Sequence, residues 1–226
     1  MTTNTLWKNF KFAVTAVDIV IFTIKDEELK VLLIKMKKEP FTKMWAVPGG
    51  LVKVDESLDF SAKKHLFNKT GVKDIYLEQL YTFGEVERDP LGRVISTAYF
   101  ALIPGDGLEL KTTEEYEDVQ WFSIKDLPKL AYDHKEIISK AERRLKAKLS
   151  YTNIVYGLLP SEFTLTELQK TYEIILGETI DKRNFRKKIL SLNLIKKTDK
   201  QTVGESSRPA AYYKFIKRTP QIIEIL

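Results

Sequence analysis

The run Val47-Pro48-Gly49-Gly50-Leu51-Val52-Lys53-Val54-Asp55-Glu56-Ser57 leads directly into Leu58-Asp59-Phe60-Ser61-Ala62-Lys63-Lys64-His65-Leu66-Phe67-Asn68-Lys69-Thr70-Gly71-Val72. Pro48, Gly49 and Gly50 free the backbone for a tight loop. Ser57 is placed to cap a helix in which Leu58, Ala62 and Leu66 recur every four residues, and Gly71 is placed to end it. On that helix His65, Asn68 and Lys69 are three and four positions apart and share one face. The face offers imidazole, amide and ammonium, whereas a hard cation such as Mg²⁺ needs carboxylate oxygens. Lys69 adds a charge that repels a divalent ion. Glu56 and Lys64 are spaced to form an ion pair.

Working outward, Phe12 to Ile24 and Leu29 to Met36 read as β-branched and aromatic strands joined by the charged turn Lys25-Asp26-Glu27-Glu28, a hairpin. Trp45 to Leu51 reads as a short strand entering the loop. Ile75 to Val86, Val94 to Ile103 and Val119 to Ile124 are further strand patterns, and an amphipathic helix is expected from about Asp133 to Leu149. Strands with helices inserted at two places predict an α+β sandwich. Asp18 interrupts an apolar strand in phase with Ala16 and Val20; a buried carboxylate needs a partner, either structural or a ligand hydroxyl. Glu85-Val86-Glu87-Arg88-Asp89-Pro90-Leu91-Gly92-Arg93-Val94-Ile95-Ser96 places a charged loop between two strands.

Composition changes near residue 150. Residues 1–150 hold 24 Lys/Arg and 23 Asp/Glu (net +1), while residues 151–226 hold 13 and 8 (net +5). A basic end on a near-neutral body fits a segment that meets phosphates. Leu165, Leu168, Tyr172, Ile175 and Leu176 keep helical spacing, with Thr164 or Thr166 as cap and Gly177 as stop. Asp181 to Leu190 forms a second helix with Phe185, Ile189 and, just beyond it, Leu192 inward and Lys182, Arg183, Asn184, Arg186, Lys187 and Lys188 outward. Ile195-Lys196-Lys197, a polar tip from Gly204 to Pro209 and Tyr212 to Ile216 read as a two-stranded wing. Together these make a winged helix-turn-helix.

The two halves resemble the Nudix-related transcriptional regulators. Against the Nudix box G-x5-E-x7-R-E-U-x-E-E-x-G-U, in which U is aliphatic, the chain keeps Gly50, Glu56, Leu66, Gly71 and Val72, has Lys64 at the arginine, and has His65, Asn68 and Lys69 at the other three glutamates. The Arg88-to-Ser96 run is similar to that of Nudix proteins that handle ADP-ribose, and Leu165 to Gln169 with Asp181 to Lys188 matches the family's helix-turn-helix. The resemblance implies a Nudix α/β/α sandwich over residues 1–150 that senses an effector without hydrolysing it, and a winged helix over 151–226 that binds operator DNA, with repression the expected mode. It further implies a homodimer. The effector-binding candidates are then Asp18, Lys43, Trp45, Glu85, Arg88 and Arg93. The DNA-binding candidates are Thr166, Lys182, Arg183, Asn184, Arg186, Lys187, Lys188, Lys196, Lys197 and Arg208.

The family resemblance leaves two effector classes, a free pentose such as arabinose or ADP-ribose. A diphosphate without a metal would need Arg88, Arg93 or Lys69 to meet its charge, so the missing carboxylates tilt the expectation toward the neutral sugar. No metal or cofactor is expected. Zero cysteines exclude disulfides and thiolate metal sites, and two histidines leave little material for zinc. The first ten residues lack a signal-peptide apolar run, and no stretch has membrane-span length, which points to a cytoplasmic protein. The alternatives are an active pyrophosphatase using Glu85, Glu87, Glu114 or Glu115, and a tail that mediates protein assembly rather than DNA binding.

Overall fold

The computed structural model describes residues 12–71, 75–105, 110, 116–202, 209–223 and 225. Its centre is β1 (Val14–Lys25), which pairs with three other strands. β2 (Glu28–Met36) folds back antiparallel through the Asp26-Glu27 turn, where both residues take left-handed φ values of 53° and 61°. β6 (Val94–Leu102) runs parallel to β1 from Val14↔Val94 to Phe22↔Leu102 and carries antiparallel β5 (Tyr76–Phe83) on its far side. β7 (Tyr116–Ser123) pairs with β2.

The expected single strand from Trp45 to Leu51 is two. β3 (Trp45–Ala46) pairs with β2, and β4 (Gly49–Leu51) pairs with β1 at Ala16–Asp18. Pro48 has no N–H to continue a ladder, and its carbonyl accepts from Ile19 N at 2.7 Å, so the chain crosses from one partner to the other at this point.

β1 is buried from Ala16 to Thr23 because both of its faces are covered. On one face Val17, Ile19, Ile21, Leu32, Ile34 and Tyr99 pack with Ala62 and Leu66 of α1 (Leu58–Thr70). On the other, Val20, Phe22, Val31, Leu33, Phe100 and Leu102 meet Ile137, Ile138, Ala141, Leu145 and Leu149 of α2 (His134–Tyr151). Alternation of side chains along the strand thus builds the helix–sheet–helix sandwich. Ser57 caps α1 by accepting from Phe60 N at 3.2 Å, and Gly71, with φ 67°, ends it.

The second apolar core does not stop at the expected boundary at residue 150, which falls in the last turn of α2. It continues through a 3-10 turn (Ile154–Gly157) into α3 (Leu165–Leu176), α4 (Lys182–Ser191) and the wing. Tyr76 packs tilted against Phe100 and edge-on against Tyr156, Tyr156 meets Phe215 edge-on, and Phe215 tilts against Phe163, so contacting rings lead from the sandwich into the wing. The wing has three strands where two were expected. β9 (Ile195–Gln201) and β10 (Ala211–Phe215) are joined by β8 (Phe163–Thr164), which pairs with β10. Residues 203–208, most of the expected wing tip, lie outside the described residues. Among those described, no helix is long and apolar enough to cross a membrane.

The choice between Thr164 and Thr166 as cap is decided for Thr164. Its hydroxyl accepts from Glu167 N at 3.1 Å, and Glu167 accepts from Thr164 N at 2.6 Å, a reciprocal box that satisfies two otherwise unmatched N–H groups. Thr164→Ala should therefore lower unfolding free energy by about 1 kcal/mol, whereas Thr166→Ala, two residues further on and exposed, should cost well under half of that. Urea unfolding of both variants checks the order; equal losses would remove the cap from the account.

Candidate effector pocket and nucleic-acid interface

Behind the Gly49–Gly50 turn lies a buried polar knot. Asp18 accepts from Ser96 Oγ at 2.6 Å and from Arg88 Nη2 at 3.2 Å, and His134 Nε2 stands 3.5 Å from its other oxygen. Burial works to raise the Asp18 pKa, but the imidazole, the Ser96 hydroxyl and the guanidinium together hold it below the ordinary carboxylate value. His134 Nδ1 accepts from Val47 N at 3.1 Å, so Nε2 is the nitrogen that carries hydrogen toward Asp18. Arg88 also grips Asp133 through Nε at 2.9 Å and Nη2 at 2.7 Å. Asp133 is the N-cap residue of α2 but makes no capping hydrogen bond.

This knot floors a cavity of about 190 Å³ bounded also by Ala46, Gly49, Gly50, Tyr116 and Tyr132. Of the expected effector residues, Asp18 and Arg88 line it. Trp45 does not. It neighbours Ala46 on a strand and so points to the opposite face, where its ring meets Phe122 at 4.6 Å. Lys43 is exposed in the loop before β3 with φ 67°. Glu85 is exposed, and Arg93 donates to its backbone carbonyl at 3.0 Å, which holds the loop rather than facing the cavity. Ser96, Tyr132 and His134 are the residues that sequence reasoning passed over.

The degenerate box borders an adjoining space of about 520 Å³. Met36, Gly49, Gly50, Leu51 and Tyr116 are common to both, and Lys37, Lys38, Lys53, Lys64, His65, Asn68 and Lys69 complete its wall. Glu56 pairs with Lys64 at 2.5 and 2.6 Å, which keeps the family's glutamate–cation contact with lysine in the arginine position. Lys69 is 3% exposed with its ammonium 3.8 Å above the Tyr116 ring. Gly50 makes room for His65, since a Cβ there would come within 2.7 Å of the imidazole. Among the described residues no group of three or more His, Asp or Glu could hold a metal ion. Glu85 and Glu87 are exposed on their loop, and Glu114 and Glu115 lie outside the described residues.

At the other end, α4 buries Phe185 and Ile189 and leaves Lys182, Arg183, Asn184, Lys187 and Lys188 exposed. Asp181 caps it by accepting from Asn184 N at 2.7 Å. Arg186 is half-buried. Its Nη2 donates to Thr166 Oγ1 at 2.9 Å, so these two expected DNA contacts also tie α4 to the start of α3, and its Nε is buried with no hydrogen-bond partner among the described residues. Lys196 and Lys197 are exposed on β9; Arg208 lies outside the described residues.

Residues 14–141 match the Nudix domain model, and residues 155–215 match the model of the NrtR DNA-binding winged helix domain. The chain is 36% identical over 203 residues to the ADPR responsive transcriptional repressor NtrR of Acinetobacter baylyi, covering 88% of this chain and 80% of that one. This chain belongs to the NrtR family. The NrtR of Shewanella oneidensis, solved with a 27mer DNA, superposes at TM-score 0.80 with 34% identity over 89% of this chain and 93% of that one. The Nudix domain of that protein, solved with ADP ribose, is 36% identical and covers 64% of this chain and 94% of its own, at TM-score 0.55. In this NrtR-family chain the box is degenerate, with His65, Asn68 and Lys69 where a Nudix hydrolase has metal-binding glutamates.

The depressed Asp18 pKa has a definite sign. A carboxylate held below its unfolded value stabilises the fold above about pH 4 and loses that contribution as pH falls through the lower folded value. Asp18→Asn should cost about 3 kcal/mol near neutrality, at the low end for a broken buried pair because Arg88 keeps Asp133. The gap from wild type should shrink in acid. Urea unfolding across a pH series measures it, and a gap independent of pH would mean that Asp18 acts by shape and not by charge.

Proposed function

We propose that this chain is a transcriptional repressor that reads operator DNA through α4 and binds ADP-ribose in the Nudix half without hydrolysing it, acting as a homodimer. The observation that carries the reading is the α4 surface. A short, well-capped helix anchored by Phe185 and Ile189 holds five exposed polar or basic side chains outward, and Lys196 and Lys197 are exposed on the wing strand that follows it in the chain. An Arg or Asn on such a helix can bond a guanine or adenine edge in the major groove, while the lysines meet phosphates. Similarity over nearly the whole chain to a protein solved on DNA supports this over a tail that only mediates assembly. Two copies would present two such helices to a palindromic site.

For the effector, the balance moves from a free pentose to ADP-ribose. The sequence tilts toward the sugar because the carboxylates that would hold a diphosphate's metal are missing. The wall beside the box is instead rich in lysine, and the Asp18 carboxylate and Tyr132 border an adjoining space where they offer hydroxyl partners. The relatives that respond to or were solved with ADP-ribose point the same way.

Fluorescence anisotropy on a fragment of the chain's own promoter and on scrambled DNA tests the first half. Arg183→Ala should weaken specific binding by roughly 1–3 kcal/mol and relax the requirement at one base of each half-site. Lys197→Ala should weaken both DNAs alike and flatten the salt dependence. Equal affinity of the wild-type protein for the two DNAs at physiological salt would sink the operator reading, and release of product from ADP-ribose with Mg²⁺ above a metal-free blank would sink the non-hydrolytic one.

A further inference from the structure

Resting on the operator reading, we infer that Asn153 and Arg218 are positioning residues for DNA binding: they strap the segment after β10 onto the linker between the two halves, and so fix where α4 stands relative to the sandwich. Asn153 and the whole strap lie outside both family matches, which end at residue 141 and run from 155 to 215. The linker needs such a device. At Thr152 and Asn153 the backbone leaves α2, passing from φ −144°, ψ 160° to φ −88°, ψ 14°, and a few residues at the end of an element are where a hinge forms.

Beyond β10 the chain turns back to the end of α2. Thr152 and Ile222 pair antiparallel, and the N–H groups of Ile223 and Ile225 donate to the carbonyls of Tyr151 and Ser150, each at 2.7 Å. These carbonyls belong to the last turn of α2 and have no partner within the helix. Ile225, 2% exposed, joins the apolar core that runs through both halves. Asn153 is wholly buried and uses both ends of its amide: Oδ1 accepts from Gln221 N at 2.7 Å, and Nδ2 donates to Thr219 O at 3.1 Å. Arg218 holds the far end of the linker. Its Nη2 donates to the carbonyls of Tyr156 at 2.5 Å and Leu159 at 2.8 Å, and its Nη1 to that of Pro160 at 3.0 Å. A planar guanidinium can gather three carbonyls in this way, where a lysine would present a single point. The winged helix is thus tied to α2 both where the chain enters it and where the chain leaves it, which removes the pivot that the linker alone would allow.

The chain has no cysteine, so Lys63→Cys on α1 and Lys214→Cys on β10, both at exposed positions, accept spin labels at those two places and nowhere else. Pulsed electron paramagnetic resonance of the full chain should give one narrow distance distribution. It should broaden in Asn153→Ala, Arg218→Gln and Ile225→Ser, and stay narrow in Ile222→Ser, whose side chain on the same strap is 88% exposed. Without labels, the first three variants should bind the promoter fragment roughly tenfold more weakly, the loss expected when a released winged helix holds the DNA-reading pose about a tenth of the time. Ile225→Ser removes no charge, so its salt dependence should match wild type, which separates positioning from a lost phosphate contact. Circular dichroism identifies the variants that fold; if the buried changes at Asn153 and Ile225 do not, Arg218→Gln, at an exposed residue, decides. Distances that stay narrow in the folded variants, or that broaden with no loss on the promoter, overturn the proposal. If wild-type protein fails to prefer its promoter over scrambled DNA, the operator reading falls, and the label distances alone decide the strap, broadening for it and constancy against it.

Discussion

β1 is the constraint on which the other elements depend, and Asp18 is the residue that makes it demanding. A strand covered on both faces can bury a carboxylate only where hydrogen-bond donors and positive charge come to it. They come from three separate parts of the chain: Ser96 from the parallel neighbour β6, Arg88 from the loop before that strand, and His134 from the first turn of α2. Because Arg88 reaches Asp133 as well, the loop is fastened to the sheet and to the helix together. The cavity beside the box is the space left when these partners converge, and its floor is rigid for the same reason.

What could be seen in the sequence was what local chemistry dictates. Ser57 and Gly71 bound α1, and Leu165 to Leu176 bounds α3, because caps, stops and a helical period are written within a dozen residues. The Phe163–Thr164 strand has no pattern to detect, being two residues long and created by pairing with β10, some fifty positions later. Trp45 is expected at the pocket by the family resemblance, with a ring suited to stack on an apolar sugar face. Strand alternation decides its side, and which side of β3 is pocket depends on Gly49 and Gly50 being paired to β1, a long-range fact. Ser96 and His134 escaped notice for a related reason: each is unremarkable in its own segment, and only Asp18 gives them meaning.

The box shows how a motif can lose its chemistry and keep its architecture. Glu56 and Lys64 still close the turn onto α1, Gly50 still admits the side chain at position 65, and Leu66 still faces the core. The substitutions fall on the face of the same helix turned away from Leu66, where Asn68 is exposed and His65 is half-buried. At Lys69 the change has been absorbed, since the ammonium sits on the Tyr116 ring while the aliphatic stem fills buried space.

The apolar core that joins the two halves limits how a pocket can speak to the DNA-reading helix. Tyr156 is packed between Tyr76 of the sheet and Phe215 of the wing, and Arg218 pins the segment around it by donating to the carbonyls of Tyr156, Leu159 and Pro160. The turn between β1 and β2 reaches α3 through the Glu27–Lys170 ion pair, so the strand that carries Asp18 at one end touches the helix-turn-helix at the other. Swinging the winged helix as an independent body would strip these rings of their partners and expose them to water, at about 25 cal/mol for each Å² of apolar surface uncovered. Movement of β1 and movement of α3 are therefore tied together by this shared core and by the ion pair at the β1–β2 turn.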